Sequence, residues 1–221
     1  MPAFYMQKVL DIRKNDVHRM EIFSAEEPAD GQGVSAKPVG ADHTLHRVED
    51  MIKSLIRIAK GYPEETQQII SINIANSILA DNELLDIILD NLQDMPYGLS
   101  IEVAQVGDLL QPRKVNTAFS ALRQRRCSVG FDNFGGAKAK NPQILSEYAF
   151  DSVKLHSKFV QGALSDERSL RVLNLVVDLI KAQDKTIIAT GVSTREQSEK
   201  LASLGIVLQQ GDFIHRPERI A

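Results

Sequence analysis

Residues 127–136, CSVGFDNFGG, run a short alternating strand straight into an acid, an amide, an aromatic and two glycines. Apolar and small residues alternate through Val129 and Phe131, and the glycines that follow let the chain turn sharply. The pattern recurs along the chain. Glu21 sits in VHRMEIF, Asn73 in IISINIA, Glu102 in LSIEVA and Lys154 in DSVKL, while Thr190 ends TIIAT and Gln210 follows IVLQ. Each of these polar residues falls near the C-terminal end of a different strand, where an α/β barrel gathers its functional groups. A single strand-end acid or amide usually caps the next helix or faces water. One on each of seven strands points to a shared site. Glu21, Asn73, Glu102 and Asp132 would supply oxygen ligands suited to Mg²⁺ or Mn²⁺, and a lysine beside them would suit a phosphate.

Outward from this stretch, strand patterns lie at about 3–12, 18–23, 68–74, 99–104, 127–132, 151–155, 185–190 and 206–210. Helical periodicity fills the intervals at 45–60, 77–92, 112–125, 141–148, 167–183 and 194–204. Leu45, Val48, Met51, Ile52, Leu55, Ile56 and Ala59 make one stripe; Ile78, Leu84, Leu85, Ile88 and Leu92 make another. Ser193 or Thr194 caps the helix after Gly191. Alternation over this length predicts an α/β fold with a parallel sheet, either a closed eight-stranded barrel or an open doubly wound sheet. The first two strands flank the polar turn RKND and predict an antiparallel hairpin, which a regular barrel lacks. Residues 24–43, SAEEPADGQGVSAKPVGADH, read as the one flexible loop.

The chain of 221 residues has 43% hydrophobic and 25% charged residues and a net charge of −3. That composition gives no basic field to recruit nucleic acid or membrane. Cys127 is the only cysteine, so neither an internal disulfide nor a cysteine-rich zinc site can form, and a reducing compartment fits. No apolar run approaches a membrane span, and the first residues do not form a signal peptide. We expect residues 1–221 to be a single domain, a C-terminal fragment of a longer signalling protein.

The motifs resemble the EAL-domain family of bacterial cyclic-di-GMP phosphodiesterases over essentially the whole chain. MQKVLDI is similar to the family's opening strand, and MEIFSA stands where the family has its EAL signature and an arginine. SINIA resembles the strand with the metal-binding Asn, LSIEVAQ the LEITE stretch, VGFDNFGG the DDFG motif and DSVKLHSKFV the KID-x-SFV stretch. IIATGVST is similar to AEGVET, and QQGDFIHRP to the QGY-x-x-RP ending. The resemblance implies a modified TIM (β/α)8 barrel with one antiparallel strand. It assigns metal positions to Glu21, Asn73, Glu102 and Asp132, places Lys154 near the attacking water, and retains Gln210.

The departures bear on activity. Asn133 replaces the second acid of Asp-Asp, Thr190 the Glu of AEG and Gln105 the second Glu of LEITE. Ala25 replaces the phosphate-binding arginine, His156 the Asp of KID, and the loop GAKAKNP the pattern that supports the metal. An amide brings no charge to a second cation. From these losses we expect a degenerate domain that is no enzyme. It would have vestigial metal positions, no cofactor, and Mg²⁺ or Mn²⁺ held weakly at most. KLH, ATGVS and QGDF resemble the EAL domain of CsrD-type regulators of small-RNA decay. That resemblance implies a cytoplasmic domain of a membrane-anchored protein, with the unphosphorylated glucose-specific phosphotransferase IIA protein as partner. Cyclic-di-GMP binding without hydrolysis, or residual hydrolysis, are the alternatives, and the first is disfavoured by Ala25. Direct RNA binding through LRQRR (122–126), Lys138 and Lys140 is disfavoured by the acidic balance and by the 5% aromatic content. A homodimer remains open.

Overall fold

The computed structural model describes residues 3–25, 45–61, 69–93, 99–104, 111–137 and 141–220. The opening hairpin forms as expected: β1 (Ala3–Asp11) pairs antiparallel with β2 (Asp16–Ala25) around a turn in which Asn15 takes a positive φ of 53°. From β2 the sheet continues in parallel through β3 (Ile69–Ala75), β4 (Leu99–Ala104), β5 (Ser128–Phe134), β6 (Ser152–Leu155), β7 (Thr186–Ala189) and β8 (Leu208–Gln209). β8 then pairs antiparallel with β1, which closes the barrel. The strand order is β2-β3-β4-β5-β6-β7-β8-β1, with β1 the antiparallel strand and a two-residue strand β9 (Glu218–Arg219) added outside β1. The open doubly wound alternative is excluded.

The helices follow their periodicity. They are α1 (Leu45–Lys60), α2 (Asn76–Ala80), α3 (Asn82–Leu92), α4 (Pro112–Gln124), α5 (Ile144–Glu147), α6 (Ser157–Leu164), α7 (Glu167–Lys181) and α8 (Arg195–Ser203). In α1, Met51, Ile52, Leu55, Ile56 and Ala59 are buried as the stripe predicts. The segment 77–92 is two helices, because Asp81 has extended φ and ψ and its side chain accepts from the N–H groups of Glu83 and Leu84 at 3.0 and 3.2 Å. Of the two cap candidates it is Thr194 that accepts from the Gln197 N–H. Most of loop 24–43 lies outside the described residues.

Strand alternation sends the apolar residues outward against the helices. Ile72, Ile101, Val129, Phe131 and Val153 are fully buried in one cluster with α4 and its neighbours. Phe131 stacks on Phe150 with ring centroids 5.0 Å apart, and Phe119 of α4 leans on the same ring at 5.1 Å. The inward residues are of a different kind. Register aligns Glu21 with Ser71, Ser71 with Ser100 and Ser100 with Ser128; a second row runs Asn73, Glu102, Gly130, Ser152. Where a TIM barrel packs branched side chains into its lumen, this one has serines, a glycine and charges. That leaves room for long polar side chains to lie across it.

Candidate functional site

Three polar side chains from three places in the barrel meet on the carboxylate of a fourth, Glu21. Glu21 Oε1 accepts from Asn73 Nδ2 at 2.5 Å, and Glu21 Oε2 accepts from Lys154 Nζ and from Gln210 Nε2, each at 2.6 Å. All four are buried. Burial by itself would raise the Glu21 carboxyl; the Lys154 charge and the hydrogen bonds from Lys154, Gln210 and Asn73 outweigh it and hold the carboxyl below its usual range. Burial pulls the Lys154 ammonium down, but Glu21, Asp132 and Glu102 together raise it. Each partner is thus shifted toward its charged form.

Glu102 is fully buried in the same lumen. Its Oε1 is bound by the Arg19 guanidinium and by Ser100 Oγ at 3.1 Å, and its Oε2 has no hydrogen-bond partner among the described residues. Gly130 makes this possible: a Cβ there would overlap the Glu102 carboxylate and come within 2.8 Å of Ser152 Oγ. Asp132 sits half-buried at the end of β5, where the ladder to β6 slips between Phe131 and Phe134. Such a bulge re-aims side chains at a barrel rim. Desolvation, with the charges of Glu21 and Glu102, pushes the Asp132 carboxyl up to about 7, against the opposing pull of Lys154.

Six of the expected residues thus face one lumen: Glu21, Asn73, Glu102, Asp132, Lys154 and Gln210. The substituted positions behave differently. Asn133 is exposed at φ 64°, a conformation Asn tolerates, and its Nδ2 donates to Asp132 Oδ2 at 2.5 Å. Thr190 turns its hydroxyl to the Leu155 carbonyl at 2.7 Å, securing backbone between strands. His156 caps α6, its Nδ1 accepting from the Lys158 N–H at 3.2 Å. Ala25 packs with Tyr5 and Phe23. Gln105, Lys138 and Lys140 lie outside the described residues. Of the basic run 122–126, Leu122 is core and Arg123 is tied to Asp151 Oδ1 at 3.0 Å.

Sequence reasoning missed Arg19. The signal was in VHRMEIF: residues two apart on a strand share a face, so Arg19 points wherever Glu21 points. Ser100 follows from Glu102 in the same way.

The oxygen set bears on whether a divalent cation fits. Asn73 Oδ1 and Glu102 Oε2 are buried acceptors without partners, and such oxygens suit a hard cation. Among the described residues no three His, Cys, Asp or Glu gather closely enough to hold a metal by themselves. Internal cations already occupy Glu21 and one oxygen of Glu102, so Asn73 Oδ1, Glu102 Oε2 and Asp132 would have to provide the site. Together these oxygens offer ligands for at most one ion. No helix among the described residues is long and apolar enough to cross a membrane.

Comparison with known proteins agrees with the fold. The family model described as the EAL domain matches residues 5–217. Cyclic di-GMP phosphodiesterase RocR of Pseudomonas aeruginosa is 28% identical over 144 residues, covering 65% of this chain and 36% of the relative. Cyclic di-GMP phosphodiesterase PdeL of Escherichia coli is 27% identical over 160 residues, 72% of this chain and 38% of the relative. The chain spans about a quarter to two fifths of the curated relatives it matches. Among solved structures, an EAL domain protein from Listeria monocytogenes superposes with TM-score 0.80 at 20% identity, covering 98% of this chain and 88% of that one. A calcium/cy-diGMP complex of Klebsiella pneumoniae BlrP1 gives 0.78 at 20%, covering 100% and 57%.

One expectation has to be corrected. The substitutions at Asn133, Thr190 and Gln105 predict a domain that is no enzyme, yet the curated relatives named above are phosphodiesterases. The physical reason is in the lumen. The lost acids at Asn133 and Thr190 subtract charge, while Asn73, Lys154 and Gln210 remain bonded to Glu21 and Arg19 to Glu102.

Proposed function

The chain belongs to the EAL domain family, and from that premise we propose that it acts on cyclic di-GMP through a site that holds one divalent cation weakly. The supporting observation is the convergence of Glu21, Asn73, Glu102, Asp132, Lys154 and Gln210 on one lumen with two unpartnered acceptor oxygens. Asn73, Glu102 and Asp132 would hold the ion as Mg²⁺ or Mn²⁺, with Glu21 joining if Lys154 swings aside. A bound divalent ion supplies Lewis acidity toward a phosphoryl oxygen and a water of lowered pKa. Lys154 keeps a positive charge between Glu21 and Asp132, where it would hold a phosphate oxygen or a water by hydrogen bond. Gln210 and Asn73 fix Glu21 against rotation. Asn133 contributes an uncharged amide already engaged with Asp132, so a second ion gains no neutralising ligand there.

The test is incubation of purified domain with cyclic di-GMP and Mn²⁺ or Mg²⁺, following linear dinucleotide by chromatography. Loss of one transition-state stabiliser costs about 10² to 10³ in rate. Turnover is therefore expected to be slower than that of a two-ion relative by about that factor, and to vanish in Glu21→Gln. No product at saturating Mn²⁺ sinks the hydrolytic reading; tight nucleotide binding in the same experiment would leave a receptor.

A specific surface favours a second, compatible role as a docking module. On α7, Val172, Leu175 and Leu179 are 49%, 69% and 39% exposed and share one helix face, framed by Arg168, Arg171 and Asp178. We propose that this apolar strip receives the unphosphorylated glucose-specific IIA protein, as in CsrD-type control of small-RNA decay. Phosphorylation would place about −1.5 to −2 charge in such a contact, and desolvating it weakens binding. Calorimetric titration with both forms of the partner should show affinity for the unphosphorylated one, lost in Leu175→Lys. Equal affinity for both forms, or none, overturns this role.

A further inference from the structure

The buried Arg19 has no part in the chemistry described above, and its position is unusual for a permanent charge. Strand periodicity puts it on the lumen face of β2, two residues before Glu21. It is almost fully buried, at 3% exposure, and its guanidinium ends on Glu102 Oε1. The surrounding inward positions, Ser71, Ser100, Gly130 and Ser152, are too small to fill the space it crosses. Arg19 Nε, Ser71 Oγ and Ser152 Oγ have no partner among the described residues. The pocket is shaped around the arginine without satisfying it completely, so Glu102 is its main anchor.

That anchor is also one of the oxygens a divalent ion needs. A guanidinium is a cation shaped to bind a carboxylate, so at Glu102 it competes directly with a divalent ion. The charge balance points the same way. Glu21, Glu102 and Asp132 bring three carboxylates to the lumen, and Arg19 and Lys154 bring two cations. A divalent ion would therefore enter a lumen that is short of at most one positive charge. Without Arg19 the deficit would rise to at most two, closer to the charge of the ion.

We propose that Arg19 is a built-in competitor for the divalent cation at Glu102 and sets the affinity of the site. This rests on the one-ion reading above. A charge-assisted hydrogen bond contributes about 1.5–3 kcal/mol, which corresponds to about tenfold or more in affinity.

The experiment titrates Mn²⁺ alone, with no nucleotide, into the wild-type chain and variants, read by calorimetry and by the Mn²⁺ paramagnetic resonance signal. Arg19→Met should bind Mn²⁺ about tenfold tighter or better, Arg19→Lys should resemble wild type, and Arg19→Met/Glu102→Gln should lose the gain. Removing Arg19 leaves Glu102 buried without its cation, which destabilises the metal-free Arg19→Met domain. Its melting temperature should then rise with Mn²⁺ more steeply than that of wild type. Unchanged or weaker Mn²⁺ affinity in Arg19→Met, or no steeper rise in melting temperature, overturns the proposal. A variant that gains Mn²⁺ affinity while the domain leaves cyclic di-GMP intact keeps this inference and removes the hydrolytic one. Hydrolysis with Mn²⁺ affinity insensitive to Arg19 does the reverse.

Discussion

Lys154→Met is expected to destabilise the metal-free domain by about 3–5 kcal/mol and to abolish cyclic-di-GMP turnover. Methionine is close to the lysine stem in length, so the volume beside Ile188, its register partner on β7, is largely kept and the charge is what is lost. The cost arises at Glu21, which is buried and bonded to Lys154 at 2.6 Å. Its remaining donors, Asn73 and Gln210, are neutral amides that cannot balance a carboxylate in a barrel lumen. The pH dependence identifies the cause. In wild type the Glu21 carboxyl is depressed, so its contribution is fully present above the ordinary carboxylate range and is lost as pH falls through the folded value. In Lys154→Met burial is opposed only by the Asn73 and Gln210 hydrogen bonds and should raise that carboxyl, so the penalty should be largest near pH 8 and shrink as acid neutralises Glu21. Urea unfolding in the presence of a chelator from pH 5 to 8 measures this. A penalty that stays flat across that range would place the cost in packing and detach Lys154 from Glu21.

The sequence announces this fold because barrel alternation leaves a double mark, period two in the strands and period 3.6 in the helices between them. α1 runs over Leu45–Lys60, as its stripe predicts, and the RKND turn marks the one antiparallel strand. The misses have physical causes. α6 covers only Ser157–Leu164 directly after β6, too short to establish a period, and β9 exists only because Tyr5 and Met6 offer it an edge. Asp81 broke a continuous stripe because a cap competes with helix continuation, and apolar spacing is blind to that. The site was legible where a polar residue ended a strand. Arg19 was missed although it shares a strand face with Glu21, because an arginine in a strand reads as a solvent-facing side chain until the serines and glycine across the lumen show that the face is interior. Thr190 reads as a site residue from its strand-end position, and the resemblance puts it in place of a Glu, yet its hydroxyl is committed to the Leu155 carbonyl. A motif match fixes a residue's place along the chain, and the local hydrogen bond decides where the side chain turns.

Gly211→Ala should cost about 1–3 kcal/mol or more and also release Gln210 from Glu21. Gly211 has φ +150°, and a Cβ there would overlap the backbone N and O of Val192 and lie 2.8 Å from its carbonyl carbon. Nothing at that contact is a flexible side-chain end. The two segments are joined by backbone hydrogen bonds: the Val192 N–H donates to the Gln210 carbonyl at 3.0 Å, and the Phe213 N–H to the Val192 carbonyl at 3.1 Å. The Gln210 N–H in turn donates to the Ala189 carbonyl at 2.9 Å. Relief of the overlap must therefore move the turn that carries Gln210, whose side chain reaches Glu21 at 2.6 Å. Gly162 supplies the contrast. It lies exposed within α6 with nothing within 4 Å of an added Cβ, so Gly162→Ala should stabilise by about 0.5–1 kcal/mol through helix propensity. The same methyl group is thus expected to change stability in opposite directions at the two positions, measurable by denaturant unfolding. Cyclic-di-GMP turnover should fall in Gly211→Ala and hold in Gly162→Ala. A Gly211→Ala domain with wild-type stability and turnover would mean that the turn yields freely and that Gln210 does not need this backbone to hold Glu21.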